Sequence, residues 1–241
     1  METQTLLAYE ESGCGRTAVQ ALSVPPGAQL PLEEHPEERL YYVLDGRGIV
    51  SIYESAPEGD VYEARQDMSI YLTPRVGHQF INTGDAPLRL LAFLVRGGVA
   101  PEGGLTWTAV TQRGAVVDAP AVGSGVAVTR VFDEASNPSK DEGQHLRIRD
   151  IWLRRPQKLL NAEVLTVAPG RATRLHTHYD TSETSYVLCG EGHFVWDDRQ
   201  IACRAGSVVS YPIGVQRKVV NTGRFPLTYV LIAAAIDQPP A

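Results

Sequence analysis

Short apolar runs broken by Gly, Pro, Asn and Asp recur along the whole chain. Ile49-Val50-Ser51-Ile52-Tyr53, Leu88 to Leu94 and Thr228 to Ile232 are rich in β-branched, aromatic and aliphatic residues. Such side chains suit the pleated, half-buried surface of a strand. No window carries an apolar stripe at helical spacing over the roughly 12 residues an amphipathic helix needs. Closely spaced strands with turn signals between them predict an all-β barrel or jelly roll.

The pattern occurs twice. Leu22-Ser23-Val24-Pro25-Pro26-Gly27 returns as Leu165-Thr166-Val167-Ala168-Pro169-Gly170. Val43-Leu44-Asp45-Gly46 returns as Val187-Leu188-Cys189-Gly190, and Ile81-Asn82-Thr83-Gly84 as Val220-Asn221-Thr222-Gly223. Three landmarks in one order in both halves indicate duplication. The expected organisation is a barrel over 1–112, a linker over 113–145 and a second barrel over 146–241. Gly123-Ser124-Gly125 and the polar stretch Glu134 to Gly143 supply the linker composition.

Composition narrows the partners. Of 241 residues, 43% are hydrophobic and 21% charged, an ordinary globular balance, and the formal net charge is -6. An acidic surface repels phosphate backbones, so nucleic acid is not an expected partner. Arg147, Arg149, Arg154 and Arg155 alternate with apolar residues in places and read as the solvent face of a strand. The start, Met1-Glu2-Thr3-Gln4, lacks a basic and apolar leader. No apolar run approaches the roughly 20 residues a membrane helix needs, and Tyr229 to Ile236 reads as a buried strand. Three cysteines, Cys14, Cys189 and Cys203, without C-x-x-C spacing point to neither a disulfide framework nor a cysteine zinc site. The expectation is a reduced, cytoplasmic protein.

Chemistry concentrates after Gly170, in His176-Thr177-His178 followed by Glu183 and then Gly190. Side chains at i and i+2 of a strand share a face, so the two imidazoles are expected to point together, with Glu183 rising on the neighbouring strand. Two imidazoles and one carboxylate leave coordination positions open. This set is typical of non-haem Fe(II), and Mn, Ni, Co or Zn also accept nitrogen and oxygen donors.

With these spacings the sequence resembles the cupin superfamily. Gly170 to Gly190 fits its first motif, G-x5-H-x-H-x(3,4)-E-x6-G, at every position. Gly206, Pro212, Gly214 and Asn221 fit the second, G-x5-P-x-G-x2-H-x3-N, but Arg217 stands where the family has His. The resemblance implies two tandem cupin (jelly-roll) β-barrels, a bicupin, with a divalent metal held by His176, His178 and Glu183. It also implies Arg217 inside the second barrel. A guanidinium only donates hydrogen bonds and cannot be a ligand. Arg217 therefore either anchors an anionic substrate or pairs with Glu183 and replaces the metal.

In the first barrel the family positions hold Glu33, His35, Arg39 and His78. A Glu33–Arg39 pair is the expected neutralising arrangement, and a structural role the favoured reading. Glu34, Glu37 and Glu38 read as a solvated rim, Tyr186 and Tyr211 as interior packing, and His145 and His193 as ordinary polar residues. The favoured function is a metal-dependent, dioxygenase-type oxidoreductase acting on a small anionic organic molecule. An isomerase or lyase, or a metal-free binding or sensing cupin, is the alternative. By resemblance the chain is a monomer or a homodimer.

Overall fold

The computed structural model describes residues 2–12, 15–53, 59–97, 108–110, 116–118, 126–130, 132, 139–142, 146–152 and 160–235. The chain divides into two units, Met1–Leu6 with Ala18–Pro138, and Leu7–Thr17 with Ser139–Ala241.

The first unit carries β1 (Glu2–Leu7), β2 (Thr17–Val24), β3 (Glu38–Asp45), β4 (Arg47–Tyr53), β5 (Asp60–Arg65), β6 (Met68–Leu72), β7 (Gly77–Asn82), β8 (Leu88–Val95), β9 (Thr108–Val110), β10 (Val116–Asp118) and β11 (Val126–Arg130). Six of these form a sheet in the order β1-β2-β8-β3-β6-β11, and three form a second sheet, β5-β4-β7.

The second unit carries β12 (Lys140–Glu142), β13 (Leu146–Trp152), β14 (Leu160–Val167), β15 (His176–Thr177), β16 (Thr181–Cys189), β17 (Glu191–Trp196), β18 (Arg199–Arg204), β19 (Val208–Tyr211), β20 (Gln216–Asn221) and β21 (Leu227–Ala235). Its sheets run β12-β13-β14-β21-β16-β19 and β15-β20-β17-β18. Each unit is a jelly roll of two main sheets, β9 and β10 of the first unit forming a separate antiparallel pair, and no described residue lies in an α-helix. Among the described residues no helix is long and apolar enough to cross a membrane. The span 113–145, expected to link the halves, contributes β11 to the first unit by pairing with β6 and β12 to the second by pairing with β13.

The repeated landmarks build one corner twice. Asn82 Nδ2 donates to the carbonyls of Val24 and Ala86 at 2.8 Å each, and its Oδ1 accepts from Gly84 N. Asn221 does the same with Val167 at 2.9 Å, Phe225 at 2.8 Å and Gly223 N. One buried amide thereby satisfies three backbone groups at a turn, which only Asn does at this reach. Gly27 N and Gly170 N close the same corner on the carbonyls of Asn82 and Asn221. Gly48 and Gly192 recur because a Cβ there would collide with the facing carbonyls of Ile81 and Val220.

Interior faces meet between the sheets. Phe194 of β17 packs edge-on against Tyr211 of β19 and Tyr229 of β21, at 5.9 Å each. Val167, Val187, Val219 and Leu227 complete that core. In the first unit Tyr41 of β3 meets Phe80 of β7 at 4.9 Å. Each such ring contributes about 2–3 kcal/mol by leaving water.

Two sequence expectations need correction. Glu38 is not on a solvated rim: it is buried and accepts a 2.7 Å hydrogen bond from the Tyr71 hydroxyl, because β3 is covered on both faces and Glu38 shares the face of Tyr71, opposite to that of Arg39. Glu37 is only 14% exposed and is paired with Arg39. Cys203 is buried and Cys189 exposed, both as free thiols. Arg147 is exposed on β13, whereas Cys14, His145, Arg154 and Arg155 lie outside the described residues.

Candidate functional site

In the second unit the site bridges the two sheets. β15 pairs with β20 so that His176 lies opposite Arg217, and β16 pairs with β19 so that Glu183 lies opposite Tyr211. Glu183 therefore comes from the facing sheet and not from a strand beside the histidines. The β15 ladder ends at Thr177, yet the His176 and His178 rings stay 5.1 Å apart, steeply inclined to each other. One donor atom each of His176, His178 and Glu183 lies within 4.8 Å of the others. His176 is exposed, His178 half-buried and Glu183 buried, so the cluster opens toward solvent on its histidine side.

Protonation suits metal binding. His176 Nδ1 lies 2.8 Å from the Arg174 carbonyl, which only accepts, so in the neutral ring the proton belongs on Nδ1 and the lone pair on Nε2. Burial lowers the His178 pKa, with Glu183 pulling the other way, which favours the neutral, coordinating imidazole. His178 Nε2 lies 3.2 Å from Glu183 Oε1, an acceptor, so here that nitrogen donates to the carboxylate and would give up its proton to a metal on binding.

Arg217 sits inside the second unit, 2% exposed. Its Nε donates to Glu183 Oε2 at 2.7 Å and its Nη1 to the Val215 carbonyl at 3.1 Å. The pair with Glu183 is made through one nitrogen and one oxygen, and Oε1 still faces His178. The guanidinium also lies 5.6 Å from the centre of the Tyr211 ring. Burial raises the Tyr211 pKa well above its ordinary value, so its hydroxyl keeps its proton. Trp196 of β17, paired with Arg217 across the strands, packs edge-on against Tyr211 at 5.7 Å.

The first unit gathers Glu33, His35 and His78, with donor atoms again within 4.8 Å. Glu33 and His78 exchange both backbone hydrogen bonds at 3.0 Å, which sets their side chains side by side. The expected Glu33–Arg39 pair does not form. Glu33 pairs with His35 at 3.0 Å, and Arg39 turns to Glu37 at 3.0 Å and to the Tyr41 hydroxyl at 3.1 Å. The physical reason is proximity along the chain: Tyr41 lies two residues on from Arg39 on the same face of β3, and Glu37 sits in the bend just before the strand. Tyr41 also lies 2.8 Å from His78 Nε2, while His78 Nδ1 faces the Val76 carbonyl at 3.2 Å. The carbonyl accepts from Nδ1–H, so Tyr41 donates to Nε2 and occupies the lone pair a metal would need. Burial lowers the His78 pKa to about 4, and burial followed by Arg39 lowers that of His35.

Sequence reasoning missed Tyr41 as the partner of His78, and Thr181, Ser185 and Trp196 as neighbours of the triad. Period-two alternation from Glu183 would have found Thr181 and Ser185, since both lie two residues away on one strand.

Comparison with known proteins agrees with this architecture. The cupin domain family matches residues 21–94 and 163–233, one match in each half. An uncharacterized protein of Methanocaldococcus jannaschii is 32% identical over 69 residues, which is 28% of this chain and 51% of that protein. The match thus spans about half the length of that relative. Among solved structures, AerE from Microcystis aeruginosa superposes with TM-score 0.68 at 16% identity, covering 92% of this chain and 90% of that one. A serine-to-alanine mutant of Bacillus subtilis oxalate decarboxylase gives 0.72 at 15% identity, covering 99% and 74%. Protein Ylba from E. coli gives 0.72 at 14% identity, covering 99% and 84%. At these identities the structural likeness speaks for the fold. Because the family match covers both halves and more than half of the residues, this chain belongs to the cupin family and carries two cupin domains in tandem.

Proposed function

We propose that the second unit is a metal-dependent enzyme site for a small anionic organic molecule. The observation that carries this reading is the convergence of His176, His178 and Glu183, each offering a donor atom within 4.8 Å of the others at an open mouth. Two imidazoles and a carboxylate fit Fe(II) best, with Mn, Ni, Co or Zn able to use the same donors. A metal here would supply Lewis acidity and open positions for substrate and a small co-substrate. Arg217, buried beside the triad, would hold the anionic end of the substrate and keep Glu183 aimed at the site.

Within this class we favour dioxygenase-type oxidoreductase chemistry, since three protein ligands leave room for both substrate and oxygen. An isomerase or lyase would use the same pocket. Mn(II) centres are named for the oxalate decarboxylase of Bacillus subtilis, a structural neighbour, and support a divalent ion at such a site.

A second reading, a metal-free binding or sensing cupin, rests on the 2.7 Å contact of Arg217 with Glu183. The test is anaerobic reconstitution with Fe(II), followed by oxygen-uptake assays across small carboxylic acids, with Mn(II) and apo protein in parallel. Turnover of an acid dependent on Fe(II) and lost in His178→Ala supports the oxygenase. Turnover without oxygen uptake moves the site to isomerase or lyase chemistry. Ligand binding with neither metal nor turnover supports the metal-free reading.

A further inference from the structure

The duplication supplies an internal comparison of two interiors built on one backbone plan. In the first unit, the positions of β3 and β7 that face the interior hold Arg39, Tyr41 and His78. They answer one another: Tyr41 donates to His78 and accepts from Arg39, and Arg39 is paired with Glu37. Arg39 Nε is the atom of this group left without a partner among the described residues.

The corresponding interior positions of the second unit are Glu183, Ser185 and Arg217, with Tyr211 opposite Glu183. Here the side chains do not close on themselves. Ser185 stands where the first unit has Tyr41 and is too short to span to Arg217. Four buried polar atoms on residues that flank, oppose or bond Glu183 have no partner among the described residues: Thr181 Oγ1, Ser185 Oγ, Tyr211 hydroxyl and Arg217 Nη2; Ser182 Oγ, likewise without one, belongs to the other face of β16. Ser185, Tyr211 and Arg217 are 1%, 2% and 2% exposed. Thr181 and Ser185 flank Glu183 at two residues on either side of β16 and share its face. Tyr211 packs beside Arg217, which is itself bonded to Glu183.

Buried donors are nearly always satisfied in folded proteins, and each one left alone is destabilising. Three of the four share the inner face of β16 and β19 and the fourth, Arg217, reaches Glu183 from the facing sheet; such a group, with three members on residues almost wholly buried, points to a polar ligand site. Arg217 Nη2 and the Tyr211 hydroxyl both donate, which selects an anionic oxygen. The two aliphatic hydroxyls donate or accept, which selects a second oxygen on the same small ligand. Trp196 and Phe194, packed on Tyr211, leave an apolar wall behind it.

We propose that the interior of the second unit binds a small hydroxy- or oxo-carboxylate, whose carboxylate accepts from both Arg217 and Tyr211. Thr181 and Ser185 take its further oxygen. Tyr211 is thereby a ligand-binding residue and not packing alone. The inference rests on the second unit being the ligand-binding half, but not on the identity or presence of the metal.

The experiment is calorimetric titration of the full chain with lactate and pyruvate, against lactamide as the neutral control, in EDTA-treated and Fe(II)-loaded protein. The variants are Tyr211→Phe, which keeps the ring, and Arg217→Lys, which keeps the charge but loses Nη2. The expected result is saturable binding of an acid but not the amide. Tyr211→Phe weakens it about tenfold or more, as a lost hydrogen bond to a charged oxygen should. The thermal midpoint of Tyr211→Phe stays at or above the parental one, because the hydroxyl has no protein partner to lose. Arg217→Lys weakens the acid at least as much. Acid affinity unchanged in Tyr211→Phe, or no acid bound in either form, overturns the inference. Acid binding in a protein that takes up no metal sustains the inference while removing the metalloenzyme. Metal uptake without acid binding does the reverse.

Discussion

Removing the Arg217 side chain tests the electrostatics of the second unit directly. Glu183 is 7% exposed at its side chain and Arg217 2%, with 2.7 Å between Nε and Oε2. Such a pair adds little over a well-packed apolar replacement, but deleting one partner strands the other charge at a cost of about 3–5 kcal/mol. In Arg217→Met, Glu183 keeps His178 at 3.2 Å as a residual partner, so the low end of about 3 kcal/mol is expected. A domain near 100 residues shifts roughly 4–8 °C per kcal/mol, giving a drop on the order of 10–20 °C. The assay is thermal unfolding in EDTA, repeated with saturating Mn(II) or Zn(II). A metal on the triad supplies the missing positive charge beside Glu183, so the drop shrinks with metal in Arg217→Met. In Glu183→Gln metal brings no such recovery, since the carboxylate ligand is gone. A parental midpoint for Arg217→Met in EDTA would refute the reasoning, because a stranded buried carboxylate cannot be free of cost.

Other expectations follow from single contacts. Asn221→Ala removes two donated bonds and one accepted bond at a corner 1% exposed, stranding the Val167 and Phe225 carbonyls. A loss of about 3 kcal/mol in urea unfolding is expected, with Asn82→Ala costing the first unit a similar amount; a change under about 0.5 kcal/mol would contradict the shared-corner account. His78 has a folded pKa of about 4 against an ordinary 6.5, so as pH falls the unfolded chain takes the proton first. Its contribution is nil above about pH 7, grows destabilising between 6.5 and 4 to about 3 kcal/mol, and then levels off. Comparing His78→Gln with the parent across that window should show the parent's acid sensitivity reduced, and parallel curves would contradict the burial argument. Cys203 is buried with its pKa raised to about 11, whereas Cys189 is exposed. Iodoacetamide at pH 8 should therefore label Cys189 and spare Cys203 in peptide mapping, and equal labelling would contradict the packing of β18.

Much of the fold was legible because the duplication is written in residues with narrow structural uses. Asn82 and Asn221 each tie three backbone groups, and Gly48 and Gly192 sit where no Cβ fits, so both recur in register. The triad was legible for a similar reason, since His176, His178 and Glu183 occupy fixed positions relative to two turn glycines. What the sequence left open was decided by competition among neighbours. Arg39 takes Glu37, two residues before it in the bend that leads into β3, and Glu33 pairs with His35. Glu38 was read as rim because it sits in an acidic run, but strand alternation carries it to Tyr71 on the face of β3 opposite Arg39, which is buried as well. The pairing of β11 with β6 was unreadable because short strands far apart in sequence carry no local mark of their partner. Hydroxyls such as Ser185 gained meaning only beside the structure of the other half.

Metal stoichiometry tests the central claim most directly. The protein, expressed without a metal-affinity tag, is analysed by elemental mass spectrometry after reconstitution and desalting. His176→Ala and Glu183→Gln are compared with His35→Ala and His78→Ala. The account predicts about one divalent ion per chain, lost in the first pair and retained in the second, because Tyr41 already occupies the His78 lone pair. An ion that survives His176→Ala, or that leaves with His35→Ala, contradicts the assignment to the second unit; a parental chain that takes up no ion removes the metalloenzyme reading altogether.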